Sequence, residues 1–76
     1  MKTNELKSKR IRLGLAQKDV ALELSISKST YSKRENGILD FSLKEVKLLM
    51  IILQLKEEDL IDIFFADSVA PNATAV

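Results

Sequence analysis

Gln17-Lys18-Asp19-Val20-Ala21-Leu22-Glu23-Leu24-Ser25-Ile26-Ser27-Lys28-Ser29-Thr30-Tyr31-Ser32-Lys33-Arg34-Glu35-Asn36-Gly37 reads as two short helices joined by a turn too tight to hold structure of its own. The first is expected from about Gln17 to Leu24. The second is expected to start after Ser27, whose hydroxyl can cap the free N–H groups at a helix start. Ala21 is the small residue wanted where two helices touch, and Val20, Leu24, Ile26 and Tyr31 supply apolar weight for one core. Lys28, Ser29, Ser32 and Lys33 fall on the opposite side of the second helix. That face is short, polar and basic, which suits the major groove of DNA: lysine can donate to guanine O6 and N7, and serine can donate to or accept from several bases.

Outward from this stretch, Thr3 or Asn4 can cap a first helix over residues 3–13, with Leu6, Arg10 and Leu13 on one stripe and Gly14 where a left-handed terminal residue is wanted. Leu15 is expected to return to the core. Ile38-Leu39-Asp40-Phe41 is a connector, and Ser42-Leu43-Lys44-Glu45 has the spacing of a capping box. A fourth helix follows from Leu43 to about Leu53, with Leu43, Val46, Leu49, Met50 and Leu53 as its core stripe. A fifth is expected from about Glu57 to Phe64, its acidic first turn matched to the helix dipole. The pattern predicts an all-α, five-helix domain over residues 1–65 and a disordered tail over residues 66–76. Phe64-Phe65 reads as a core clasp.

Composition bounds the function. Seventy-six residues make one domain. The chain has no cysteine and no histidine, which removes disulfides, thiolate chemistry and the usual zinc sites. Consecutive Glu57, Glu58 and Asp59 do not converge on one ion, so no metal and no cofactor is expected. A Ser–Lys dyad can be drawn on the exposed second helix of the motif, but nothing there desolvates a lysine to lower its pKa. An enzyme is therefore not expected. No apolar run approaches the roughly 18 residues of a membrane span, and Met1-Lys2-Thr3-Asn4-Glu5-Leu6-Lys7 lacks the apolar segment of a signal peptide; a cytoplasmic location is the expectation. Net charge is only +1, but residues 1–37 hold nine Lys/Arg against four Asp/Glu, and residues 38–76 hold three against seven. The motif lies in the basic half.

Arg10, Gly14, Leu15, Gln17, Ala21 and Glu35-Asn36-Gly37 together resemble the helix-turn-helix domain of phage repressors and Cro proteins, across residues 6 to about 65. The resemblance implies a lambda-repressor-like fold, with its second and third helices (residues 17–37) as the motif, in a bacterial host cell. It implies an operator of double-stranded DNA, read by Lys28, Ser29, Ser32 and Lys33. Gln17 would hold a phosphate and brace the recognition helix, with Ser27, Asn36 and Lys9 as further phosphate contacts and Arg10 close by in the basic half. It also implies a structural ion pair between Arg10 and Glu35. Three residues depart from the family pattern: Ala16 lacks the capping oxygen often found there, Ser25 occupies a turn position where glycine is common, and Arg34 stands where an apolar residue is usual.

Leu48, Ile51 and Ile52 are expected to point away from the core stripe of the fourth helix, a patch either covered by the connector Ile38-Leu39 and the tail or left as an interface for a homodimer or a second repressor protein. The alternative function is accordingly a helix-turn-helix modulator that acts by binding another repressor.

Overall fold

The computed structural model describes residues 1–65; the tail expected over residues 66–76 lies outside them. Five α-helices follow one another: α1 Thr3–Arg12, α2 Gln17–Glu23, α3 Lys28–Glu35, α4 Leu43–Ile52 and α5 Glu57–Leu60. The described residues contain no strand. The expected all-α, five-helix architecture is thus the one observed. α5 is shorter than expected, because its last turn widens into a π-helical segment over Ile61–Phe65.

Helix starts follow the capping chemistry at two places and depart from it at three. Ser27 Oγ accepts from Thr30 N–H at 3.0 Å, and Ser42 and Glu45 form the reciprocal capping box, at 3.2 Å and 2.8 Å. Ahead of α2, Asp19 accepts from Ala16 N–H at 2.8 Å, but alanine has no oxygen to return. Lys56 and Asp59 repeat that half-box ahead of α5. The first helix is not capped by Thr3 or Asn4, since it begins at Thr3, one residue before a Thr3 cap would start it and two before an Asn4 cap would. Lys2 is its cap residue and makes no side-chain bond; its own N–H donates to Ile63 O at 2.8 Å, tying the N-terminus to the last turn.

Helices α1 to α4 all stop by one device. The N–H two residues past the cap reaches back five residues to a carbonyl, and the N–H before it closes the inner loop: Leu15 to Arg10, Ile26 to Ala21, Ile38 to Lys33 and Leu55 to Met50, with lengths of 2.8–3.2 Å. The residue at the bend must take positive φ. Gly14 and Gly37 do so freely, at +74° and +82°, while Ser25 and Gln54 do so with a side chain, at +60° and +55°. A non-glycine residue there is strained by about 1–2 kcal/mol. The departure at Ser25 therefore leaves the turn geometry intact and adds strain to it.

The core gathers Leu6 of α1, Val20 and Ala21 of α2, Leu24 after it, Tyr31 of α3, Leu49 of α4 with Leu53 and Leu55 after it, and Ile63. Phe41 bridges Tyr31 and Phe64, with ring centroids 6.0 Å from each. Of the expected clasp, Phe64 packs against the core and Phe65 is exposed. Two expectations about stripes are corrected. Leu43 is 69% exposed: it opens α4, whose buried side begins at Glu45 and Val46. Leu48 and Ile52 do not point away; they pack against the core, and only Ile51 stands out, at 76% exposure. The cause is a helix packed on more than one side, which gives it a broader apolar stripe than a single seam. Leu13 is also partly exposed, just past the end of α1.

Candidate nucleic-acid interface

Alternation along α3 separates its two sides. Tyr31 and Glu35, four residues apart, are buried; Lys28, Ser29 and Lys33 are exposed and Ser32 is half-buried. Lys28, Ser29, Ser32 and Lys33, joined by Gln17 from the start of α2, line one shallow concavity of about 400 Å³. Two ammonium groups and three neutral polar ends meet there, a set made almost wholly of donors and small hydroxyls.

The inner side of α3 is fixed by a carboxylate. Glu35 is completely buried and accepts from Arg10 Nε at 2.8 Å, Arg10 Nη2 at 3.1 Å, Tyr31 Oη at 2.7 Å and Gln17 Nε2 at 3.0 Å. Arg10 Nη1 donates to Leu15 O at 2.7 Å, so the guanidinium also holds the end of its own helix. Burial alone would push the Glu35 carboxyl up. Hydrogen bonds from Arg10, Gln17 and Tyr31, with the charge of Arg10, outweigh it and hold the carboxyl below its usual range. Tyr31 is pushed the other way, above the ordinary phenol range, first by burial and then by its bond to Glu35. Arg10 is thus an interior residue and is not available to a ligand.

The other named residues lie outside the concavity. Ser27 spends its hydroxyl on the cap and on Thr30 Oγ1, at 2.8 Å. Asn36 ends α3, and its Nδ2 lies 3.4 Å from Ser32 Oγ. Lys9 Nζ pairs with Asp59 Oδ1 at 3.2 Å, joining α1 to α5. Hydrogen bonds from the Lys56 N–H and from Lys9 hold the Asp59 carboxyl below its ordinary range.

Three features went unread in the sequence. The i,i+4 spacing of Tyr31 and Glu35 was signal enough to pair them. The bond from Gln17 to Glu35 had no local signal, since it joins residues 18 apart. Arg34 reaches Glu45 of the α4 capping box, which explains how an arginine occupies that position, although its Nε is buried without a partner. Among the described residues no group of three or more acidic side chains is placed to hold a metal ion, and no helix is long and apolar enough to cross a membrane.

A family model described as Helix-turn-helix matches residues 6–60. The chain belongs to the helix-turn-helix family. Membership carries a DNA-binding regulatory role, and α2 and α3 are the two helices between which the tight turn lies. No curated protein and no solved structure matches the chain. Within this helix-turn-helix domain the inner side of α3 is committed to the core and its other side faces solvent.

Proposed function

We propose that the chain is a sequence-specific transcriptional regulator of Cro/repressor type, acting on double-stranded DNA as a phage or mobile-element switch in the bacterial cytoplasm. The observation that carries the reading is the single concavity shared by Gln17, Lys28, Ser29, Ser32 and Lys33. Lys28, Ser29, Ser32 and Lys33 are the base-reading residues in this proposal, Gln17 and Asn36 contact phosphates, and the Ser27 hydroxyl does so by turning its proton from Thr30 Oγ1. Lys9 joins them only by leaving Asp59. The charge asymmetry agrees: the concavity belongs to the half of the chain with nine Lys/Arg against four Asp/Glu.

The test is binding to duplex libraries at several salt concentrations. Lys28→Ala and Lys33→Ala should each relax base preference and weaken specific binding by about 1–3 kcal/mol where the contact is bidentate. Affinity should fall steeply with salt. A folded protein with no salt-sensitive affinity for any duplex would end this reading.

Assembly as a twofold dimer belongs to the same proposal, since two recognition helices must sit about 34 Å apart to read successive turns of one DNA face. Of the three residues expected at that interface, Ile51 is the one that stays exposed, and it supports the proposal. Sedimentation of Ile51→Lys should show weaker self-association with unchanged helicity.

A further inference from the structure

The Gln17 side chain offers two donor protons and one acceptor oxygen, and one of those protons is fixed from inside the protein. Its Nε2 donates to Glu35 Oε1 at 3.0 Å. A carboxylate has no proton to give, so the amide cannot be reversed: nitrogen must face Glu35. Glu35 cannot turn away in its place. Its Oε2 is held by Arg10 Nε at 2.8 Å and Tyr31 Oη at 2.7 Å, and its Oε1 also accepts from Arg10 Nη2 at 3.1 Å. The orientation of a side chain that lines the concavity is therefore set by a buried acid anchored to α1 and α3.

We propose that Glu35 is a positioning residue for DNA-backbone binding, holding the Gln17 amide so that its second N–H is presented to a phosphate oxygen. The proposal rests on the reading of the concavity as a DNA surface. Its physical advantage is preorganisation: an unheld glutamine freezes its side-chain torsions only on binding, whereas this one is already ordered. The same arrangement gives the buried network a second task beyond joining α1 to α3. It also makes Gln17→Glu unfavourable, since that carboxylate would face Glu35.

The experiment compares Gln17→Ala in two backgrounds of the full chain, wild type and the paired replacement Arg10→Met with Glu35→Met. Replacing both members of a buried ion pair by apolar residues is often tolerated, where removing one is not. The probe is a mixed-sequence DNA duplex of about two helical turns, in low-salt buffer. In the wild-type background Gln17→Ala should weaken binding about tenfold, the scale of one hydrogen bond to a charged group. In the methionine background the same change should weaken it at most about twofold, because Gln17 there is already unheld. Equal losses in both backgrounds overturn the proposal. Should the paired variant fail to fold, NMR of the wild type decides. The chain has two glutamines, and the exposed Gln54 is the internal control. A Gln17 side-chain amide as ordered as the backbone supports positioning; one as mobile as that of Gln54 overturns it. Absence of any salt-sensitive binding by the wild type would instead sink the DNA reading itself, a result distinct from binding with equal losses.

Discussion

Among the described residues two arginine–carboxylate pairs join helices, and they are finished to different degrees. Arg10 and Glu35 connect α1 to α3; Arg34 and Glu45 connect α3 to α4. Glu35 is sealed from water and receives hydrogen bonds from three side chains. Glu45 sits at the edge, sharing Oε1 between Arg34 and the Ser42 N–H, and Arg34 keeps a buried Nε without a partner. A buried charge is tolerable when its whole hydrogen-bonding capacity is met, and an incomplete set adds a penalty that the pair must offset. The joint that sets the recognition helix against α1 is therefore the firm one. The joint to α4 is held chiefly by apolar packing.

Breaking the firm joint should have the largest effect. Glu35→Ala leaves Arg10 buried and unpaired, a loss of about 3–5 kcal/mol. A domain of this size has roughly 4–11 kcal/mol in total, so thermal melting should show most of its stability gone. A loss under about 1 kcal/mol would break the comparison.

Acid should find the same joint. The folded Glu35 carboxyl lies below its unfolded value, so its contribution is fully present above the ordinary glutamate range and is lost as pH falls through the folded value. Melting temperature should drop across that window for the wild type. The Arg10→Met, Glu35→Met variant should show a flatter profile there. At the alkaline end, the raised Tyr31 phenol gives stability that is present below about pH 10, the unfolded value, and declines as pH rises beyond it.

The second joint should yield less. Glu45→Ala removes half a capping box and a partly exposed ion pair, for a loss of about 1–2 kcal/mol by chemical denaturation. Arg34→Met should have the smallest effect of all. It gives up a pair worth about 0–1 kcal/mol and removes the unpartnered donor, so stability should stay within about 1 kcal/mol of wild type or rise. A fall beyond about 2 kcal/mol would show the two joints to be equals.

The sequence exposed most of this wherever the signal was local. Ser27 and the Ser42–Glu45 box announced two helix starts, and the spacing of Lys28, Ser29, Ser32 and Lys33 grouped the residues that share the concavity. Signals that depend on neighbours in space were lost. Leu43 fits the α4 stripe by angle yet lies beyond the reach of the core, and Ile52 fits the outer side yet finds other residues to cover it. The Gln17 amide gave no hint of Glu35, because nothing in a polar residue at a helix start says which acid will lie beneath it.

The shared way in which α1 to α4 stop bears on how fast the chain can fold. Each stop is written within six consecutive residues, so four boundaries can form before distant parts of the chain meet. The Arg10–Glu35 contact closes a span of only 25 residues. Loops of that length close at modest entropy cost, and small helical domains rich in local contacts fold in microseconds to milliseconds. The two bends at Ser25 and Gln54, strained in the finished protein and exposed on its surface, belong to these local stops and not to the core.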